Sequence, residues 1–190
     1  DLITGKKLLT KLWNASRFVF MNLEDYDYKK PAKLETIDKL FLDKLNELVK
    51  ISTESFESYE YSKAKSETDK FFWNMFCDNY LEIVKKRIYN NQNGKESAQY
   101  TLYHSLLTIL KLIAPIMPFI TENIYQEYYK KTEKTNSIHL TDWPTSSKIG
   151  KTDQWDLFIE TLSKIRQEKS NNKKPMNSDI ILYLTKDDQS

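Results

Sequence analysis

From Leu34 to Tyr59 the residues Leu34, Ile37, Phe41, Leu45, Leu48, Ser52, Phe56 and Tyr59 follow one another in steps of three or four without a slip. That spacing lines them along one side of a helix with 3.6 residues per turn, whereas a half-buried strand would show alternation. A helix with so long an apolar stripe must bury it against other elements, so the run commits the chain to helical packing. Composition points the same way, because three Gly and five Pro in 190 residues leave few of the turn-formers that a sheet-rich fold needs.

The same periodicity divides the rest of the chain. Leu8, Leu12, Ala15, Val19 and Leu23 predict a first helix over about Lys6 to Leu23, and the polar stretch Glu24 to Lys33, with Pro31, ends it. A third helix is expected from about Ser62 to Ile88, with Phe72, Phe76, Tyr80 and Ile83 as its apolar face, before the Asn- and Gly-containing loop Asn90 to Glu96. A fourth, from near Ser97 to Pro115, carries Leu102, Leu106, Ile109, Leu110 and Ile113, and the two prolines of APIMP break it. A fifth starts at Pro118, a residue suited to a first turn, and runs through Ile120, Ile124, Tyr125 and Tyr128. The expected fold is all-α, a bundle of about five helices over residues 1–144. Within it, SIHLTDWP reads as short and extended. Residues 145–190 read as a polar linker, an amphipathic helix from Gln154 to Ser170 bearing Trp155, Phe158, Ile159, Leu162 and Ile165, and a strand over Asp179 to Thr185. That strand lacks a partner unless IHL at 138–140 or further chain pairs with it, which makes the tail a small α/β unit of one helix and one or two short strands.

Several kinds of chemistry have no support. Cys77 is the only cysteine, so no intrachain disulfide can form, and His104 and His139 stand too far apart for zinc-ligand spacing. The isolated Gly5, Gly94 and Gly150 form no phosphate-cradling loop, and carboxylates such as Glu54 and Glu57 sit on charged helix faces. With no disulfide possible, a reducing, cytoplasmic setting is expected; no apolar run reaches membrane length and the N-terminus lacks the order of a signal peptide, so no membrane partner is expected. No catalytic residue, metal or cofactor is expected in this chain.

A net charge of +2 does not by itself favour nucleic acid, and since 26 of the 29 basic residues are Lys, Lys abundance carries no weight. Local patterning carries more. On a wheel of about 100° per residue, Leu8, Leu12, Ala15 and Val19 cluster, while Phe18 lies roughly 90° away among Lys11, Asn14 and Asn22. Arg17 lies further round, four residues after Trp13, where it could pack on the indole or reach a phosphate. In the third helix Leu81 falls at the margin of the apolar face beside Asn74, Asp78 and Lys85, and is expected to be half exposed. Trp13, Phe72, Trp73 and Phe76 read as core residues and Cys77 as a small buried hydrophobe. Phe18 stays open between core packing and stacking on a base of a single-stranded RNA loop.

The segments LWNASRFVFMNL at 12–23, FFWNMFCDNYLEIVK at 71–85, LTILKLIAPIMPFITENIYQ at 107–126 and SIHLTDWP at 137–144 resemble the anticodon-binding domain of the valyl-tRNA synthetases, class I aminoacyl-tRNA synthetases. The resemblance runs from about residue 6 to 144, more weakly from Gln154 onward, and implies a helical bundle that grips the anticodon arm of a valine-specific tRNA. Isoleucyl and leucyl enzymes share the bundle and part of PFITE, and remain the alternative within the class; a helical interaction scaffold is the alternative outside it. The HIGH and KMSKS signatures are absent, which implies that ATP, valine and zinc belong to a catalytic domain outside this chain. The resemblance further implies that Phe18 and Leu81 form an apolar contact for an anticodon base. Asn14, Asn74 and Asn79 would then be available for base edges, and Arg17, Lys11 and Lys85 for phosphates. DNA is not an expected partner.

Overall fold

The computed structural model describes residues 2–90, 93–147, 150, 152–176 and 178–182. Helix α1 spans Leu2–Met21, and its expected stripe Leu8, Leu12, Ala15 and Val19 is buried, with Leu23 continuing it just past the helix end. Helix α2 spans Thr36–Glu57 and buries Phe41, Leu45, Leu48 and Ser52. The ends of the series are less enclosed: Leu34 and Tyr59 lie outside the helix, half-buried and exposed, and Ile37 and Phe56 in its end turns are half-buried, Phe56 against the Trp143 ring.

At the centre lies α5, Lys95–Ile113, against which α1, α2, α3 (Tyr61–Lys70), α4 (Leu81–Tyr89) and α6 (Pro118–Tyr128) pack. Leu102, Leu106 and Leu110 on α5 are fully enclosed, as a helix with neighbours on most sides requires. Gly94 precedes α5 with φ 84°, a left-handed conformation that glycine adopts without penalty, and a Cβ there would stand 2.8 Å from Glu35 Cγ. Helix α6 opens on Pro118, and a four-residue α7, Lys130–Glu133, follows.

The expected third helix contains a change of helix type. Between α3 and α4, residues Phe71–Tyr80 form a π-helix, with backbone bonds to the fifth residue back instead of the fourth; the Leu81 N–H closes it onto Phe76 O. In that register residues five apart share a face. Phe71, Phe76 and Leu81 line up, as do Phe72 with Cys77, and all five are buried. The wheel that left Leu81 half exposed assumed α-helical spacing throughout. The wider turn carries Leu81 inward to 7% exposure, and the face continues through Val84 and Ile88, leaving Ile83 half-buried.

SIHLTDWP is not extended throughout. Ile138–Leu140 is a single 3-10 turn capped by the Ser137 hydroxyl, which accepts from the His139 N–H. Glu122 of the PFITE segment holds this turn: its Oε2 accepts from the Ile138 N–H at 3.1 Å and the Ser137 hydroxyl at 2.8 Å. Burial pushes the Glu122 carboxyl up, but hydrogen bonds from Gln126, Ser137 and Ile138 outweigh it and hold the group below the usual range. IHL therefore cannot serve as a strand partner. Residues 179–182 carry no regular structure, and the remainder of the expected strand, 183–185, lies outside the described residues.

The chain forms two compact units, residues 1–155 and 156–190. The first takes in the opening turn of α8, Thr152–Asn171, because Trp155 is fully buried 5.2 Å from the Phe41 ring and its Nε1 donates to Met75 Sδ. In the second, the Lys169 ammonium donates to the Met176 and Ser178 carbonyls and folds the chain back on the end of α8. No described helix is long and apolar enough to cross a membrane.

Candidate nucleic-acid interface

Helix α1 presents two different sides once its stripe is buried. Trp13 and Phe20 meet Tyr128 of α6, the second as a stacked pair at 4.5 Å, and Arg17 lies close enough for its charge to act on Tyr128. Arg17 is exposed on this flank. Lys11, Asn14 and Phe18 follow one another at spacings of three and four and form the other side.

That other side faces the π-helix and α4. Lys11 Nζ lies 4.8 Å from the centre of the Trp73 ring and 3.3 Å from Asp78 Oδ1. Seven residues on, Lys85 Nζ lies 5.4 Å from the centre of the Phe18 ring and pairs with Glu82. Tyr89 stands at 82° to Phe18 with ring centres 6.4 Å apart. The two elements run alongside each other in the same sense, and Asn14 lies exposed between the two contacts. Phe18 is half-buried, with one turn of helix below it closed by Asn22 Nδ2 donating to the Phe18 carbonyl. Asn74 is exposed, while Asn79 turns its amide back onto the Asn74 carbonyl at 2.7 Å, the five-residue reach of the π-helix. The structure thus brings Phe18, Lys11, Asn14 and Lys85 to one face, sets Arg17 on another flank, and places Leu81 beneath the surface.

The ion pairs on this face do not lock it. Both carboxylates, Asp78 and Glu82, are half or more exposed, and such pairs contribute about 0–1 kcal/mol, so an incoming phosphate can exchange with them.

One group of residues essential to this geometry escaped the sequence reading. Asp38 of α2 is fully buried, and Arg87 of α4 grips it with Nη2 to Oδ1 at 2.6 Å and Nη1 to Oδ2 at 2.9 Å. The Tyr80 hydroxyl donates to Oδ1 at 2.7 Å and the Ser97 hydroxyl to Oδ2 at 2.5 Å, so the carboxylate ties α2, α4, α5 and the π-helix together. Burial, then the Asp38 charge, push the Tyr80 hydroxyl well above the usual range. A local signal existed, since Asp38 falls on the apolar arc of α2 three residues before Phe41. Its partner, 49 residues away, had none.

Burial pushes the Cys77 thiol up to about 12, which keeps it protonated, and among the described residues no cluster of His, Cys, Asp and Glu could hold a metal. What the face offers is flat rings, amides and cations, which suits an anion with planar parts.

Comparison with known proteins agrees with that chemistry. Residues 38–184 match the family described as the anticodon-binding domain of tRNA ligase. Among curated relatives, valine–tRNA ligase of Haloarcula marismortui is 40% identical over 181 residues, covering 95% of this chain and 20% of the relative. Those of Rickettsia felis and Ehrlichia ruminantium are 45% and 44% identical, covering 73% and 88% of this chain and 18% and 21% of theirs. The chain spans about a fifth of the length of these relatives.

Proposed function

Because the chain belongs to the family of anticodon-binding domains of tRNA ligases, we propose that it grips the anticodon arm of a valine-specific tRNA on behalf of a longer valine–tRNA ligase. In this reading the parent enzyme joins valine to its tRNA with ATP in the cytoplasm, and the catalytic domain of the same polypeptide supplies the chemistry. The identities of 40–45% to valine–tRNA ligases favour the valyl type over the isoleucyl and leucyl types. They also weigh against a scaffold without an RNA partner.

The observation that carries the proposal is the face on which Phe18, half-buried among polar neighbours, stands with Lys85, Asn14 and Lys11. Valine codons share their first two letters, so valine anticodons share adenine in the middle and cytosine at the end. Phe18 supplies a stacking surface for one of these splayed bases, worth about 1–3 kcal/mol per base. In this reading Asn14 and Asn74, both exposed, meet base edges, and Lys11, Lys85 and Arg17 meet phosphates, which set register without reading sequence. Asn79 contributes by bracing the π-helix backbone at Asn74, and Leu81 by supporting the surface from below.

The test is the affinity of the 190-residue chain for RNA hairpins carrying a valine anticodon loop, by fluorescence anisotropy at low salt. Phe18→Ala is expected to weaken binding about 5- to 150-fold. Unchanged affinity in a folded Phe18→Ala variant, or equal binding of an anticodon-swapped hairpin, would overturn the proposal.

A further inference from the structure

Tyr89 is the last residue of α4 and keeps 63% of its surface exposed, although its ring approaches Phe18 at nearly a right angle. Two rings at 82° make a corner. A flat heterocycle laid on the face of one ring brings its edge against the other, and edge-to-face contact is favourable for aromatic pairs. Lys85 lies one turn before Tyr89 on the same side of α4, with its ammonium over Phe18, and Lys86 beside it is exposed. Met21, one turn beyond Phe18, adds a further exposed apolar side chain to this end of α1. The carboxylate beside the corner, Glu82, is paired with Lys85 by a weak exposed contact.

We infer that Tyr89 is the second wall of the base-binding corner, receiving an unpaired base of an RNA loop against Phe18 while Lys85 meets the adjoining phosphate. Leu81 lies beneath this surface at 7% exposure, whereas Tyr89 offers most of a ring at the surface itself. The Tyr89 hydroxyl gives the wall a polar tip that can donate to or accept from a base edge or a ribose 2′-hydroxyl. A splayed base with its adjoining phosphate engages the rings and the lysines at once, which a neutral apolar partner would not. Unpaired bases use both the rings and the charge. The inference rests on the reading of the chain as an anticodon-binding domain.

The experiment uses the 190-residue chain and a hairpin whose loop carries 2-aminopurine at the middle anticodon position, a base whose fluorescence falls when it stacks. Wild type should quench it on binding. Tyr89→Ala should weaken affinity about 5- to 150-fold and reduce the quench, Tyr89→Phe should keep both close to wild type, and Tyr89→Leu, which retains bulk without a flat face, should behave like Tyr89→Ala. Thermal midpoints by circular dichroism accompany each variant, and Tyr89→Leu decides if Tyr89→Ala fails to fold. Wild-type affinity for Tyr89→Ala beside a weakened Phe18→Ala would remove Tyr89 from the corner and leave the anticodon reading standing. Wild-type affinity for both would remove both. A Tyr89→Phe variant as weak as Tyr89→Ala would show that the hydroxyl, not the ring, carries the contact, and would overturn the stacking wall.

Discussion

Replacing Arg87 by Met should be among the most damaging single changes this bundle can suffer. The Asp38 carboxylate is 0% exposed, and with the guanidinium gone it keeps the Tyr80 and Ser97 hydroxyls as donors but has no counter-charge. Removing one partner of a buried pair costs about 3–5 kcal/mol, a large share of the roughly 5–15 kcal/mol that holds a domain together. At about 2–4 °C per kcal/mol for a chain of this size, the thermal midpoint should fall by about 6–20 °C. Asp38→Asn should cost less, about 1–3 kcal/mol. It preserves an acceptor oxygen, and the Arg87 side chain, 16% exposed, already reaches water. The double variant Asp38→Leu with Arg87→Met removes both charges and should cost less than the sum of Arg87→Met and Asp38→Leu, which a thermodynamic cycle measures. Urea unfolding at neutral pH, followed by circular dichroism, supplies the numbers. An Arg87→Met cost below about 1 kcal/mol, or strict additivity in the cycle, would refute the view that this pair clamps the helices. The consequence reaches the RNA face, because Arg87 sits between Lys85 and Tyr89 on the same helix, and loosening α4 shifts both relative to Phe18.

Two further outcomes follow from the same geometry. Leu81→Ala should cost about 2–5 kcal/mol of stability through the cavity it leaves, while the affinity of the folded variant for an anticodon hairpin falls far less than that of Phe18→Ala; a large affinity loss with unchanged stability would mean that Leu81 touches the base itself. The lowered pKa of Glu122 makes its contribution to stability complete above the ordinary glutamate value of about 4.3 and lost as pH falls through the depressed folded value. The stability gap between wild type and Glu122→Gln should therefore shrink on acidification below about pH 4, and a gap that stays constant with pH would show that the carboxylate's charge is not what holds the Ser137–Ile138 turn.

Much of the fold could be read from the chain because helical periodicity is local. The stripe Leu8, Leu12, Ala15, Val19, the α2 series from Phe41 to Ser52, the central residues of α5 and the start of α6 at Pro118 all lie where spacing put them. Phe18 was legible for the same reason, since a ring among Lys11, Asn14 and Asn22 conflicts with the stripe next to it, and it does stand half-buried at the surface. What could not be read is whatever depends on a partner distant in sequence. Residues 71–80 satisfy an α-helical wheel almost as well as a π-helical one, and only packing against the bundle chose the register that buries Leu81 and Val84. The tertiary structure alone joined Asp38 to Arg87, turned Ile138–Leu140 into a 3-10 turn under Glu122, sank Trp155 beside Phe41, and set Tyr89 against Phe18. The amino-acid order determined which segments are helical and which side of each is apolar, because those follow from neighbours one turn away. The pairing of charges, the helix register and the corner of rings were decided by side chains that meet only after the chain has folded.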